Sequence, residues 1–150
     1  MEWYFIIMII LAAFLFMEFM AWFTHKYVMH GFLWSLHKDH HIRDGRKVEW
    51  NDTFAIFFSL PSIILIYLGF ENFNYRFWIG IGILAYGIAY FLFHDVYVHQ
   101  RLKMFKNFSN RYLRATVKAH LDHHSPHAHY NYGFLIAPLK YYKEEFDKSK

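Results

Sequence analysis

The stretch WYFIIMIILAAFLFMEFMAWFTHKYVMH, Trp3 to His30, decides the fold. From Trp3 to Phe23 its only formal charge is Glu18. As a helix, that run is roughly 31 Å long, enough to cross the hydrocarbon core of a bilayer. It continues without a break into His25 and His30, so the spacing predicts a membrane helix that rises out of the lipid with imidazoles on its end. No basic residue precedes it and no small-residue cleavage site follows, so it reads as a retained anchor rather than a removable leader.

Two further apolar runs lie outward from this stretch, at 54–70 and 77–93. The first follows Asn51, Asp52 and Thr53, any of which could cap a helix, and Pro61 is expected to kink it. The second follows a short turn around Glu71, Asn72, Asn74 and Arg76, so the two runs form a hairpin. With 56% hydrophobic and 23% aromatic residues in 150, the chain is more apolar than a soluble domain of its size needs. The expected fold class is an all-α integral membrane protein. Three transmembrane helices (3–23, 54–70, 77–93) carry a helical histidine-rich cap (24–53 and 94–137), all in a single domain over 1–150.

Three crossings put every motif histidine on one side of the membrane. Of the sixteen Lys and Arg residues, Arg76 alone falls on the other. The positive-inside rule makes the histidine side the cytoplasm, which for a bacterium means the inner membrane. No cysteine is present, which excludes disulfides, thiolate metal sites and cysteine nucleophiles. The net charge of +4 follows from basic residues at membrane ends, and no nucleic-acid-binding motif accompanies it.

Ten of the twelve histidines fall into four motifs: His25-x4-His30, His37-x2-His40-His41, His94-x4-His99 and His120-x2-His123-His124. On a helix, the three imidazoles of each x2 motif leave from one face and can chelate. The x4 partners lie five residues apart, about 140° around a straight α-helix. They would therefore serve two neighbouring ions, or one would sit beyond a helix end, as Gly31 after His30 allows. Ten imidazoles exceed the needs of one ion and suit two, forming a dinuclear centre. Imidazole accepts iron, zinc, copper and nickel alike, so the ligands do not select the metal.

Several other residues are candidates for the surroundings of such a centre. Glu18, an intramembrane carboxylate, either lines a substrate cavity or makes an interhelical hydrogen bond. Asp39, Asp95 and Asp122 neighbour motif histidines and could orient imidazoles. His127 and His129 lie outside the motifs and are assigned to second-layer or surface positions, and Asn131 joins the candidate set. Gly80-x-Gly82 with Gly87 lies inside an apolar run with no preceding strand, so it reads as close helix packing and not as a nucleotide site. Arg101, Lys103, Lys106, Arg111, Arg114 and Lys118 make 101–118 basic, as a helix on anionic lipid or a docking face for an acidic electron carrier.

The motifs resemble those of the fatty acid hydroxylase and sterol desaturase superfamily of membrane di-iron proteins. His25-Lys-Tyr-Val-Met-His-Gly31, Leu36-His-Lys-Asp-His-His41, His94-Asp-Val-Tyr-Val-His-Gln-Arg101, Ala119-His-Leu-Asp-His-His124 and Gly133-Phe-Leu are most similar to the bacterial β-carotene hydroxylases. Asn131-Tyr-Gly133 looks more like the wider fatty acid and sterol branch. The resemblance implies two iron ions, which zinc can replace on purification, with O2 as cosubstrate. It also implies hydroxylation of a lipophilic substrate drawn from the bilayer, the β-ionone ring of a carotenoid first. Electrons would come from an external donor such as ferredoxin and its reductase. Fatty acids, sphingolipids and sterols are the alternative substrates. A non-catalytic membrane metal-binding protein is the alternative of a different class. A zinc hydrolase lacks its usual His-Glu-x-x-His string here.

Overall fold

The computed structural model describes residues 1–42, 48–102, 109–125 and 131–148. Among these residues the elements are helical. Helix α1 (Trp3–Thr24) passes directly into a π-helical segment, His25–Phe32. Gly31, whose φ/ψ of −101°/−125° is not helical, ends this segment and turns the chain into α2 (Trp34–His41). A 3-10 turn (Trp50–Asp52) then leads into α3 (Thr53–Gly69). The Asp52 carboxylate accepts from the Glu49 N–H at 3.0 Å and so fixes the entry to that turn. Pro61 lies inside α3, which runs on as one helix through it.

A short turn joins α3 to α4 (Tyr75–Tyr90), where Asn74 caps the first turn through the Arg76 N–H. The α4 helix also widens into a π-helical segment, Phe91–Val98. Helices α5 (Arg111–His123) and α6 (Leu139–Asp147) complete the chain. Three helical stretches are long and apolar enough to cross a membrane: Trp3–Phe32, Trp50–Gly69 and Tyr75–Val98. They contain the first and third expected spans and all but the last residue of the second, and each extends past its span into the expected cap. Leu15, Ile64 and Tyr67 are among the large apolar and aromatic side chains left exposed around them.

Helix α4 packs against both α1 and α3. Small residues permit this: a Cβ on Gly80 would lie 2.9 Å from the Ser62 carbonyl oxygen on α3, and one on Gly82 2.7 Å from that of Ile10 on α1. The Ser62 hydroxyl donates to the Gly80 carbonyl at 2.8 Å, satisfying a buried hydroxyl across the same contact. Gly80 and Gly82 thus pack helices closely. Gly87 has open space beside it instead.

Helix α6 covers α5 through a small cluster of Ala115, Ala119, Ala137 and Tyr141. Ion pairs reinforce this contact, Arg114 to Glu145 at 2.9 Å and Lys118 to Glu144. Two cations of the basic stretch are thereby engaged within the chain, and Arg111 lies over the Phe146 ring at 5.2 Å. Lys103 and Lys106 lie outside the described residues.

Candidate metal centre

Four chain segments bring the motif histidines to one end of the bundle. His25, His30, His37, His41 and His123 form one group in which the ligand-capable atoms all lie within 4.8 Å of one another. His40, His94, His99 and His120 form a second. Either group could hold a metal ion. His124, the tenth motif histidine, lies between them. Its ring stacks on His41 at 4.3 Å and sits 4.6 Å from His120 and 4.9 Å from His40.

Each x4 pair falls within a single group, so the partners do not serve separate ions; His99 does lie just past the end of its helical segment, the other arrangement the spacing allowed. The reason is the local backbone. Both x4 motifs lie where the helix is π-helical, with the His99 N–H donating to the His94 carbonyl at 2.9 Å. In such a wider helix each residue turns through less than the α-helical angle, so residues five apart return to one face. The x2 motifs behave oppositely. His37 and His41 join the first group while His40 joins the second, so α2 faces both, and α5 divides His123 and His120 in the same way.

The ring nitrogens have the chemistry of a cation site. His25 Nδ1 donates to the Tyr132 carbonyl at 3.0 Å, and His37 Nδ1 contacts Asn51 Oδ1 at 2.7 Å. With both Nδ1 atoms carrying the proton, both Nε2 atoms present lone pairs, yet they face each other at 3.1 Å. Further Nε2 pairs meet at 3.1 Å for His37 and His41, and at 2.9 Å for His30 with His123 and for His99 with His120. Two nitrogens each about 2.1 Å from one ion and at right angles to it lie about 3.0 Å apart. The Nε2 atoms of His40, His94 and His124 are buried and have no hydrogen-bond partner among the described residues. The residues present therefore fit a pair of metal ions.

Burial favours the neutral form of His40, His41, His120 and His124, the form a ligand must have. It holds His40 and His120 well below the usual imidazole range, with repulsion from neighbouring imidazoles adding to the effect. His41 is pulled down to about 3, first by burial and then by His37. His124 is lowered for the same two reasons, with His41 as its largest neighbour.

Of the candidate surrounding residues, Asp95 meets an imidazole, its Oδ1 lying 3.3 Å from His94 Nδ1. Glu49 plays the same part for His40, at 2.9 Å. Asp39 accepts from the Trp50 N–H at 2.6 Å. Asp122 accepts from the Tyr141 hydroxyl at 2.8 Å, and Asn131 donates to that hydroxyl at 2.5 Å, tying α5 to α6. Glu18 makes hydrogen bonds rather than cavity wall: Oε1 accepts from the N–H groups of Phe134, Leu135 and Ile136 at 3.0–3.2 Å. Its Oε2 accepts from the Tyr86 hydroxyl at 2.7 Å. His127 and His129 lie outside the described residues.

Sequence reasoning missed Glu49, Asn51 as a partner of His37 and the Tyr132 carbonyl, and it put Arg101 with the basic stretch rather than beside the histidines. Arg101 ion-pairs with Glu49 at 2.6 Å, Asp52 at 2.7 Å and Asp95 at 3.5 Å. Tyr132 lies 107 residues from His25 and Arg101 lies 49 from Asp52, and none of the four shares a spacing signature with the histidines. The run of Glu49, Asn51 and Asp52 ahead of an apolar helix was a signal, but it reads first as capping.

Among the described residues, apolar cavities lie below the histidines. One, of about 830 Å³, fills the wedge between α1 and α3 and is walled by residues such as Phe16, Met20, Phe57 and Leu65. Another, of about 460 Å³, lies between α3 and α4 and reaches Asn51, Tyr90, Asp95 and Phe134. Met17, Phe54, Phe58 and Ile83 belong to both walls. Phe134 separates the second cavity from the imidazoles, stacking on His25 at 4.8 Å and meeting His94 at 5.2 Å.

Residues 10–140 match the family model described as fatty acid hydroxylase. The chain is 38% identical to a beta-carotene hydroxylase of Pantoea ananas, over 92% of this chain and 81% of that protein. It is 35% identical to one from Paracoccus sp. (strain PC1), over 87% and 83%. A chloroplastic beta-carotene 3-hydroxylase 2 of Arabidopsis thaliana is 36% identical, over 88% of this chain and 46% of the plant protein. No solved structure matches. With its histidine motifs folded into two adjoining groups and a family match across most of its length, the chain belongs to the fatty acid hydroxylase family.

Proposed function

We propose that this chain is a membrane-embedded, O2-dependent di-iron hydroxylase acting on the β-ionone rings of β-carotene. The observation that carries the reading is the convergence of imidazoles from all four motifs into two adjoining groups, across Phe134 from an apolar cavity. The relatives named beta-carotene hydroxylase point to the carotenoid within the family's range of lipids. The ligands are His25, His30, His37, His40, His41, His94, His99, His120, His123 and His124, divided between two iron ions. When bound, the irons supply the redox chemistry by which one atom of O2 enters a C–H bond, chemistry unavailable to zinc.

The chain's own residues bind, orient and exclude water. Neutral, buried imidazoles offer their Nε2 lone pairs. Tyr132, Asn51, Glu49 and Asp95 fix the rings through Nδ1. The apolar walls around Phe54, Phe58 and Ile83 admit a long hydrocarbon from the lipid. Phe134 and Tyr90 form the boundary that a terminal ring must meet before it reaches the histidines. The spans cross the bacterial inner membrane with the histidine cap in the cytoplasm, where an external donor such as ferredoxin with its reductase delivers electrons.

Expression in cells that make β-carotene tests the reading. Wild-type protein is expected to give hydroxylated pigments, and His40→Ala or His123→Ala to abolish them with the protein still in the membrane. Two irons per chain after anaerobic purification are expected as well. An unchanged pigment profile from well-expressed wild-type protein would move the substrate to a fatty acyl, sphingolipid or sterol chain. Absence of bound metal would overturn the enzyme reading altogether.

A further inference from the structure

The two histidine groups are backed by different chemistry. In each group, two imidazoles have the partner of their outer nitrogen described. In the first group both partners are neutral oxygens: the Tyr132 carbonyl behind His25 at 3.0 Å and Asn51 Oδ1 behind His37 at 2.7 Å. In the second group both are carboxylates: Glu49 Oε2 behind His40 at 2.9 Å and Asp95 Oδ1 behind His94 at 3.3 Å. Arg101 links these two carboxylates, and Asp52 joins the same guanidinium at 2.7 Å. Three carboxylates against one guanidinium thus lie on one flank of the site, with Arg101, Glu49 and Asp95 all mostly shielded from solvent.

A carboxylate accepting from Nδ1–H pushes electron density into the ring and makes Nε2 a stronger donor, while its charge stabilises a nearby cation. A carbonyl does both less. The effect is least screened where the carboxylates are sheltered. We infer that the two metal positions are inequivalent by construction. The position served by His40, His94, His99 and His120 is the electron-rich, tighter one and fills first, with Glu49 and Asp95 as the positioning residues responsible.

This inference rests on the two-metal reading above, and a cobalt titration separates the two. Full-length apoprotein in detergent is titrated anaerobically with Co²⁺ alone, and binding is followed by the visible absorption of the coordinated ion. Wild-type protein is expected to fill in two steps with affinities about 10–100-fold apart, the span that outer partners of ligand histidines typically command. His99→Ala is expected to remove the tight step and His30→Ala the weak one. Glu49→Gln and Asp95→Asn are expected to weaken the tight step while leaving the weak one in place. Asn51→Asp, which places a carboxylate behind His37, is expected to strengthen the weak step, a gain that misfolding cannot imitate. Two equal steps in the wild type would overturn the inequivalence and leave the binuclear centre intact. Equal weakening of both steps by Glu49→Gln, or a tight step removed by His30→Ala, would overturn it as well. A protein that binds no Co²⁺ would sink the two-metal reading itself.

Discussion

Replacing Glu18 by leucine should release the loop that closes the floor of the histidine site. The Glu18 carboxylate accepts from the N–H groups of Phe134, Leu135 and Ile136 and from the Tyr86 hydroxyl. Leucine fills similar space and accepts nothing. Each buried donor left without a partner costs about 1–3 kcal/mol. Two of the three amide contacts are only partly buried, so the lower figure applies, giving about 4 kcal/mol over the set. That corresponds to roughly a thousandfold change in an opening equilibrium. The amides of Phe134, Leu135 and Ile136 report the opening, because all three donate to this one carboxylate oxygen.

Hydrogen exchange on the detergent-solubilised protein reads this directly. Amides 134–136 in Glu18→Leu should exchange faster by about a thousandfold, with protection in α3 and α4 unchanged. Glu18→Gln keeps one oxygen for the three amides and offers an N–H to the Tyr86 oxygen, so it should stay within about tenfold of wild type, the worth of one hydrogen bond. Release of the loop also takes Phe134 off His25, so the leucine variant should retain less metal. Wild-type exchange at these amides in Glu18→Leu would refute the anchoring role.

Three further outcomes follow from the same contacts. Gly82→Leu would drive a Cβ to within 2.7 Å of Ala13 and the Ile10 carbonyl, prising α1 from α4; thermal unfolding in detergent should show a loss of about 1–3 kcal/mol, and an unchanged midpoint would contradict the packing. Metal-free protein should lose stability as pH falls below about 6.5, where imidazoles of the unfolded chain gain protons while buried His40, His120, His124 and His41 do not. The His41 share of that loss is complete near pH 3, and a flat midpoint between pH 8 and 5 would speak against neutral, buried rings. Tyr141→Phe removes the hydroxyl shared by Asp122 and Asn131, so it should loosen α6 from α5 by about 0.5–1.5 kcal/mol; limited proteolysis at the C-terminus would detect it.

Much of this protein follows from its amino-acid order alone. Length and apolarity mark the three helices able to cross a membrane, because a crossing segment must satisfy its own backbone and present a continuous apolar surface. The four histidine motifs announce themselves by spacing, and their place just beyond the ends of spans assigns them to one end of the bundle. The tertiary structure decided what local spacing could not. The π-helical turns that align His25 with His30 and His94 with His99 depend on packing, since an isolated helix of this composition has no reason to widen there. The split of neighbouring His40 and His41 between two groups required α2 to lie between the nearby His25–His30 segment and His94 and His99, more than fifty residues further along the chain. Glu49, Asp95 and Arg101 became partners for the same reason: charge interactions depend on distance in space, and folding alone sets that distance.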